Sequence, residues 1–189
     1  MLVLLSMNLE EKQRLRGRIK KLLSTMPDHE HSRQSAAIRL HLDSWRPWQV
    51  AQEVCLFHPM AFEPSYLDPW PLDKKLLFPK IDGSVLQLYP VKSRSEMLDG
   101  PFGVLEPPAI DPAVDWREGL ILVPGLAFDS TGMRLGRGGG FYDRLLERFS
   151  GTKVGICFDE QLLDAVPVEP HDMAVHYLVT PSGILACGR

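Results

Sequence analysis

The sequence predicts an α/β fold: a single domain whose mixed, mostly parallel central sheet is flanked by helices, with a Gly-rich phosphate loop between a strand and a helix. Three observations predict it. Short apolar runs bounded by Gly or Pro alternate with longer amphipathic segments, as in chains that build βαβ units. No repeat, low-complexity tract or long linker interrupts that alternation. Finally, Val123-Pro-Gly-Leu-Ala-Phe-Asp129, followed by Arg134-Leu-Gly-Arg-Gly-Gly-Gly-Phe-Tyr-Asp143-Arg-Leu-Leu146, reads as a buried strand, a glycine-rich loop and a helix start. At 189 residues the chain can bury most of its apolar surface without disulfides. Residues 9–189 are read as one domain and 1–8 as an N-terminal extension.

The first helix is predicted from Leu9 to Met26, with Asn8 as its cap and Glu11 as the capping-box partner. Leu15, Ile19, Leu22, Leu23 and Met26 form its apolar stripe, and Lys12 and Arg16, four apart, share a face beside it. A second helix spans Arg33 to Trp45, before Pro47. Val54 to Phe57 reads as a short buried strand, and Lys75–Ile81 and Ser84–Tyr89 as a strand pair joined at Asp82-Gly83. Gly119–Val123 is the strand entering the loop, and Phe141–Phe149 the helix leaving it. Lys153–Phe158, Ala174–Val179 and Ile184–Cys187 complete the strands.

The loop has the composition of an anion site. Gly136, Gly138, Gly139 and Gly140 let the backbone turn tightly and bring N–H groups to phosphate oxygens, where the next helix presents its positive end. Arg134 and Arg137 add positive charge. Asp143, in the first helical turn, is a hard oxygen ligand suited to a Mg²⁺ on those phosphates. The blander alternative is a plain glycine loop with Asp143 complementing the helix dipole. Neither the Walker-type nor the dinucleotide-binding pattern of glycines is present.

Composition narrows the rest. A net charge of −3 argues against a nucleic-acid binder. Cys55, Cys157 and Cys187 lie far apart in apolar runs, the pattern of buried thiols in a reducing cytosol. The apolar Met1-Leu-Val-Leu-Leu is too short for a membrane anchor and lacks the features of a signal peptide. His171 and His176 have no partners at soft-metal spacing and read as polar or hydrogen-bonded histidines.

The loop segment closely resembles the signature of the 5-formyltetrahydrofolate cyclo-ligase family, Pro-Gly-x-x-Phe-Asp followed by Arg-Leu-Gly-x-Gly-x-Gly-Tyr-Tyr-Asp. Phe141 replaces the first tyrosine, keeping the ring and losing the hydroxyl. Elsewhere, Lys12-x-x-Leu15-Arg16 is similar to the family's N-terminal Lys-x-x-x-Arg. Glu63 falls at its folate-site glutamate, although Pro64-Ser65 is less typical. Phe102, in Gly100-Pro-Phe-Gly-Val-Leu-Glu106-Pro107, sits in its pterin-side loop, and Pro170-His171-Asp172-Met173 matches the segment of a second magnesium-associated aspartate. The family often continues with Val-Asp, where this chain has Val175-His176.

The resemblance implies a cytoplasmic, monomeric enzyme that uses ATP and Mg²⁺ to cyclise 5-formyltetrahydrofolate to 5,10-methenyltetrahydrofolate, with no nucleic-acid or membrane partner. ATP is then expected on Lys12, Arg16, Arg134, Leu135, Gly136, Arg137, Gly138, Gly139, Gly140, Phe141 and Tyr142. Folate is expected on His58, Glu63, Phe102 and Phe141, and Mg²⁺ on Asp143 and Asp172. Arg134, Lys12 and Tyr142 are the catalytic candidates, and Glu63 either anchors polar folate edges or orients N10. Two other readings stand beside this one: a nucleotide- or folate-binding relative with impaired turnover, and a related α/β enzyme acting on a sugar phosphate or coenzyme A.

Overall fold

The computed structural model describes residues 2–100, 103–109 and 114–188, with the backbone alone for 2–7. The chain opens with α1 (Leu2–Ser24), α2 (Asp28–Ser44), the short α3 (Arg46–Val50) and β1 (Glu53–Cys55). β2 (Lys75–Asp82) and β3 (Val85–Val91) form a hairpin, β4 (Leu98–Asp99) pairs with β5 (Leu105–Glu106), and β6 (Leu120–Val123) follows. Next come β7 (Ala127–Asp129), β8 (Arg134–Leu135), α4 (Phe141–Glu147) and β9 (Thr152–Ile156). β10 (Leu162–Leu163), β11 (Tyr177–Thr180) and β12 (Gly183–Ala186) end the chain.

Seven strands form the central sheet in the order β12-β11-β9-β6-β1-β2-β3. The inner strands β11, β9, β6, β1 and β2 are parallel, and β12 and β3 add antiparallel edges. Side chains alternate across a strand, so both faces of such a sheet must be covered. Val54, Leu76, Phe78, Leu120, Leu122 and Val154 face the cluster that contains Leu15 and Ile19 of α1 and Ile38 and Leu42 of α2. Cys55, Leu77, Ile121 and Val123 face the opposite cluster, which contains Leu145 and Leu146 of α4 together with Phe128 and Phe149. Ile19 is only 1% exposed, and truncating such a residue to Ala costs about 2–5 kcal/mol. Packing on both faces therefore holds the sheet that carries the site.

Several elements depart from the sequence-based expectation. The first helix begins at Leu2, so Asn8 is not a cap; its Nδ2 instead donates to the Val168 carbonyl at 3.1 Å. The Leu- and Met-rich run before Asn8 favours helix and continues it. The second helix starts at Asp28 rather than Arg33, with Asp28 and Glu30 in its first turn complementing the dipole. β11 starts only at Tyr177, because the preceding segment is tied elsewhere: the Val175 N–H donates to the Gly132 carbonyl at 2.9 Å. Cys55 and Cys157 are buried as expected, whereas Cys187 is half-buried.

The chain also builds a small second sheet, β10-β7-β8, whose β7–β8 hairpin leads into the glycine loop. Its turn is organised by Asp129, 4% exposed, whose Oδ1 accepts from the Thr131 N–H at 2.9 Å and the Met133 N–H at 3.2 Å. The other carboxylate oxygen accepts from the Val166 N–H at 2.9 Å. This hairpin fixes where Arg134 emerges.

Candidate active site

In an open parallel sheet, ligands bind beyond the carboxyl ends of strands where the strand order reverses. Here β1 is followed by β2 on one side, while β6 lies on its other side and leads to β9. The reversal therefore falls between β1 and β6. A cavity of about 660 Å³ opens there, floored by Phe57 and His58 beyond β1 and by Pro124 and Gly125 beyond β6. Among the described residues, no helix is long and apolar enough to cross a membrane.

Lys12 and Arg16 enter the cavity from α1, one helical turn apart. Lys12 is 3% exposed, and its Nζ lies 2.6 Å from Glu169 Oε2 and 2.6 Å from Asp172 Oδ2. Asp172 Oδ2 also accepts from the Glu169 N–H at 2.7 Å. Arg16 Nε donates to the Gly136 carbonyl at 2.9 Å, attaching α1 to the glycine loop.

Arg134 is delivered by β8. Its NH2 donates to Asp143 Oδ1 at 2.8 Å and its NH1 to the Pro124 carbonyl at 3.4 Å, while the guanidinium sits 5.7 Å from the Tyr142 ring centroid. The Arg134 Nε is buried with no hydrogen-bond partner among the described residues. Gly138 at φ +106° and Gly140 at φ +63° hold backbone that residues with a Cβ rarely adopt, and Gly140 caps α4. Helix α4 spans only Phe141–Glu147, shorter than expected, with Asp143 in its first turn. The Phe141 ring packs under the Arg144 guanidinium at 5.2 Å.

On the other side, Glu63 is 5% exposed, accepting from the Met60 N–H at 2.9 Å through Oε2 and from Arg137 NH2 at 2.8 Å through Oε1. Burial, with the nearby Arg94 charge, lowers the His58 pKa and favours the neutral imidazole. Burial raises the Tyr142 phenol well above its ordinary value, so it stays protonated at neutral pH.

All the candidate residues read from the sequence line this one cavity, except Phe102, which lies outside the described residues. Asp143 and Asp172 arrive from different segments: Asp143 Oδ1 accepts from the N–H of Met173, the residue after Asp172, at 3.4 Å, while the cluster of ligand atoms around Asp172 is formed with Glu169 and His171. The carboxylate oxygens of Asp143 and Asp172 are the donor type that Mg²⁺ takes. Sequence reading missed Glu169, whose carboxylate joins His171 and Asp172 in a group with ligand atoms within 4.8 Å of one another. Its one signal was an acidic residue three positions before Asp172. His171 lines the cavity rim, and the His176 Nδ1 accepts from the Lys153 N–H at 3.3 Å. Pro79, Ile81 and Leu86 form an apolar wall that no motif announced.

Residues 8–181 match the model of the 5-formyltetrahydrofolate cyclo-ligase family. The chain belongs to that family. The probable 5-formyltetrahydrofolate cyclo-ligase of Schizosaccharomyces pombe is 30% identical over 93% of this chain and 97% of its own length. The cyclo-ligase of Mycolicibacterium smegmatis is 44% identical over 45% of this chain and 46% of its own, so the matched segment spans about half of that relative. A solved structure of the Aquifex aeolicus 5,10-methenyltetrahydrofolate synthetase superposes with a TM-score of 0.82 at 32% identity, covering 93% of this chain and 92% of that one.

Proposed function

We propose that this protein catalyses the ATP-dependent cyclisation of 5-formyltetrahydrofolate to 5,10-methenyltetrahydrofolate, with release of ADP and phosphate. One observation carries the reading: Arg137 of the glycine loop touches Glu63 across the cavity at 2.8 Å. A polyphosphate on the loop and a folate on the Glu63 side would therefore meet in one space. Family membership supplies the substrate class.

The formyl group of the substrate is an amide, so its carbon is a poor electrophile and its oxygen a poor leaving group. Transfer of the γ-phosphoryl group to the formyl oxygen makes that oxygen a phosphate leaving group. N10 then attacks the carbon and gives up its proton to solvent, the C–O bond breaks, and the methenyl bridge closes as phosphate departs. Catalysis of this kind rests on alignment and on fixed charge where charge develops.

In this reading the amides of Gly136 to Gly140 with Lys12, Arg16 and Arg134 hold the polyphosphate. Tyr142 and Phe141 wall the gap between the two substrates. Neutral His58 and Glu63 hold folate, Glu63 anchoring its polar edge or orienting N10. Asp143 and Asp172 would hold a Mg²⁺, which supplies charge neutralisation on the phosphates.

Incubating the protein with 5-formyltetrahydrofolate, ATP and Mg²⁺ while following the ultraviolet absorbance of methenyltetrahydrofolate tests the proposal. Product dependent on all three additions is expected. A folded protein that binds ATP without forming product would instead be a binding relative.

A further inference from the structure

Lys12 stands where a cation would. Its Nζ is 2.6 Å from a carboxylate oxygen of Glu169 and 2.6 Å from one of Asp172, with only 4% of its side chain exposed. Two carboxylates against one ammonium leave a residual negative charge in a largely desolvated corner, and the Glu169 N–H, donating to Asp172 at 2.7 Å, offsets it only partly. Such a corner favours a divalent ion over a monovalent one, because a divalent ion neutralises both carboxylates.

The same lysine lies one turn from Arg16, which is bound to the glycine loop through the Gly136 carbonyl at 2.9 Å. A lysine is a compact charge on a flexible four-carbon stem, able to turn from one anion to another nearby. It cannot give its full charge to both. An ammonium leaving two desolvated carboxylates needs a new anion for itself and a new cation for them, and magnesium polyphosphate supplies both at once.

We infer that the Lys12 ammonium occupies the cation position of Asp172 and Glu169 in the substrate-free protein and is exchanged for a divalent ion when the nucleotide binds. Glu169 is thereby a carboxylate of the cation site, and Lys12 suppresses metal binding until a polyphosphate draws it away. The inference deepens the metal assignment proposed above. Its test uses neither folate nor turnover, so its failure and the failure of the cyclisation assay are read separately.

Mn²⁺ binding is titrated by electron paramagnetic resonance on the full chain without nucleotide, for the parent, Lys12→Met and Lys12→Met/Glu169→Gln. Lys12→Met is expected to bind Mn²⁺ at least tenfold tighter than the parent, and its melting temperature should rise with added Mn²⁺. The second substitution should abolish most of that gain. Unchanged or weaker Mn²⁺ affinity in a cooperatively melting Lys12→Met overturns the exchange, and a gain that survives Glu169→Gln removes Glu169 from the site. Should Lys12→Met fail to fold, Glu169→Gln alone decides. With ADP present it should weaken Mn²⁺ binding tenfold or more, and an affinity equal to the parent's overturns the inference.

Discussion

The ammonium of Lys12 and the carboxylate of Asp172 meet at 2.6 Å although 160 positions separate them in the chain. The pair joins the first helix to the segment before the last parallel strand, so the cavity closes only when the whole sheet has assembled. Replacing Asp172 by Asn leaves Lys12 paired with Glu169 and should cost about 1–3 kcal/mol of stability. Lys12→Met strands two carboxylates together and should cost more, about 3–5 kcal/mol. Urea denaturation of both variants checks the order, and a smaller loss for Lys12→Met would contradict it.

Asp143→Asn keeps the shape of the Arg134 partner and removes its charge. It should fold, require a much higher Mg²⁺ concentration for half-maximal rate, and lose more activity than Asp172→Asn. If Asp143 only balanced the α4 dipole, the variant would lose about 0.3–1 kcal/mol and keep the parent's Mg²⁺ dependence. A magnesium titration beside thermal melts separates the two outcomes.

Arg134→Ala should lower kcat by about two orders of magnitude or more, the usual effect of removing one preorganised contact to developing charge. Arg134→Lys should recover only part of it. A lysine keeps the charge but cannot contact Asp143, the Pro124 carbonyl and a ligand oxygen from one planar fork. Near-parental turnover in a folded Arg134→Ala would remove this residue from the mechanism.

Glu63→Gln retains an oxygen for the Met60 N–H and gives up the ion pair with Arg137. Folate affinity should weaken while ATP affinity stays close to the parent's, as measured by calorimetry. Equal losses for both ligands would mean that Glu63 supports the loop and not the folate.

The pH dependence of stability follows from His58. Burial, aided by Arg94, lowers its pKa in the fold below the usual value of about 6.5. The unfolded chain therefore binds more protons in the interval between the two values. The contribution is fully present above about pH 6.5 and is lost as pH falls toward the depressed folded-state value. His176, lowered chiefly by burial and then by Lys153, adds in the same direction. His58→Asn should flatten the mildly acidic limb of a melting temperature against pH profile; an unchanged limb would assign it to other groups.

The continuous apolar runs were legible as strands of an α/β sheet because a strand buried on both faces needs them; the expected alternation with helices was not met, since α1, α2 and α3 all precede β1 and, among the described residues, α4 alone lies between parallel strands. The turn between β8 and α4 was legible because glycine is the residue that readily takes the positive φ found at Gly138 and Gly140. Asn8 was misread because a cap and a mid-helix residue look alike until the preceding run is seen to continue the helix. Asp129 belongs to the same motif as the loop yet serves the β7–β8 turn, a difference of hydrogen-bond partners that spacing does not encode.

From the sequence alone came the fold class, the family resemblance, and the residue types on one loop and one helix face, all set by local propensity and short-range spacing. Tertiary structure decided which charges meet. Only the strand order 12-11-9-6-1-2-3 puts the carboxyl ends of β1 and β6 at a common crevice, and only its closure brings Glu169 against Lys12 and Glu63 against Arg137. Those partners are far apart along the chain, and desolvation in the folded cavity makes their contacts strong, a property that exists only once the chain has closed around them.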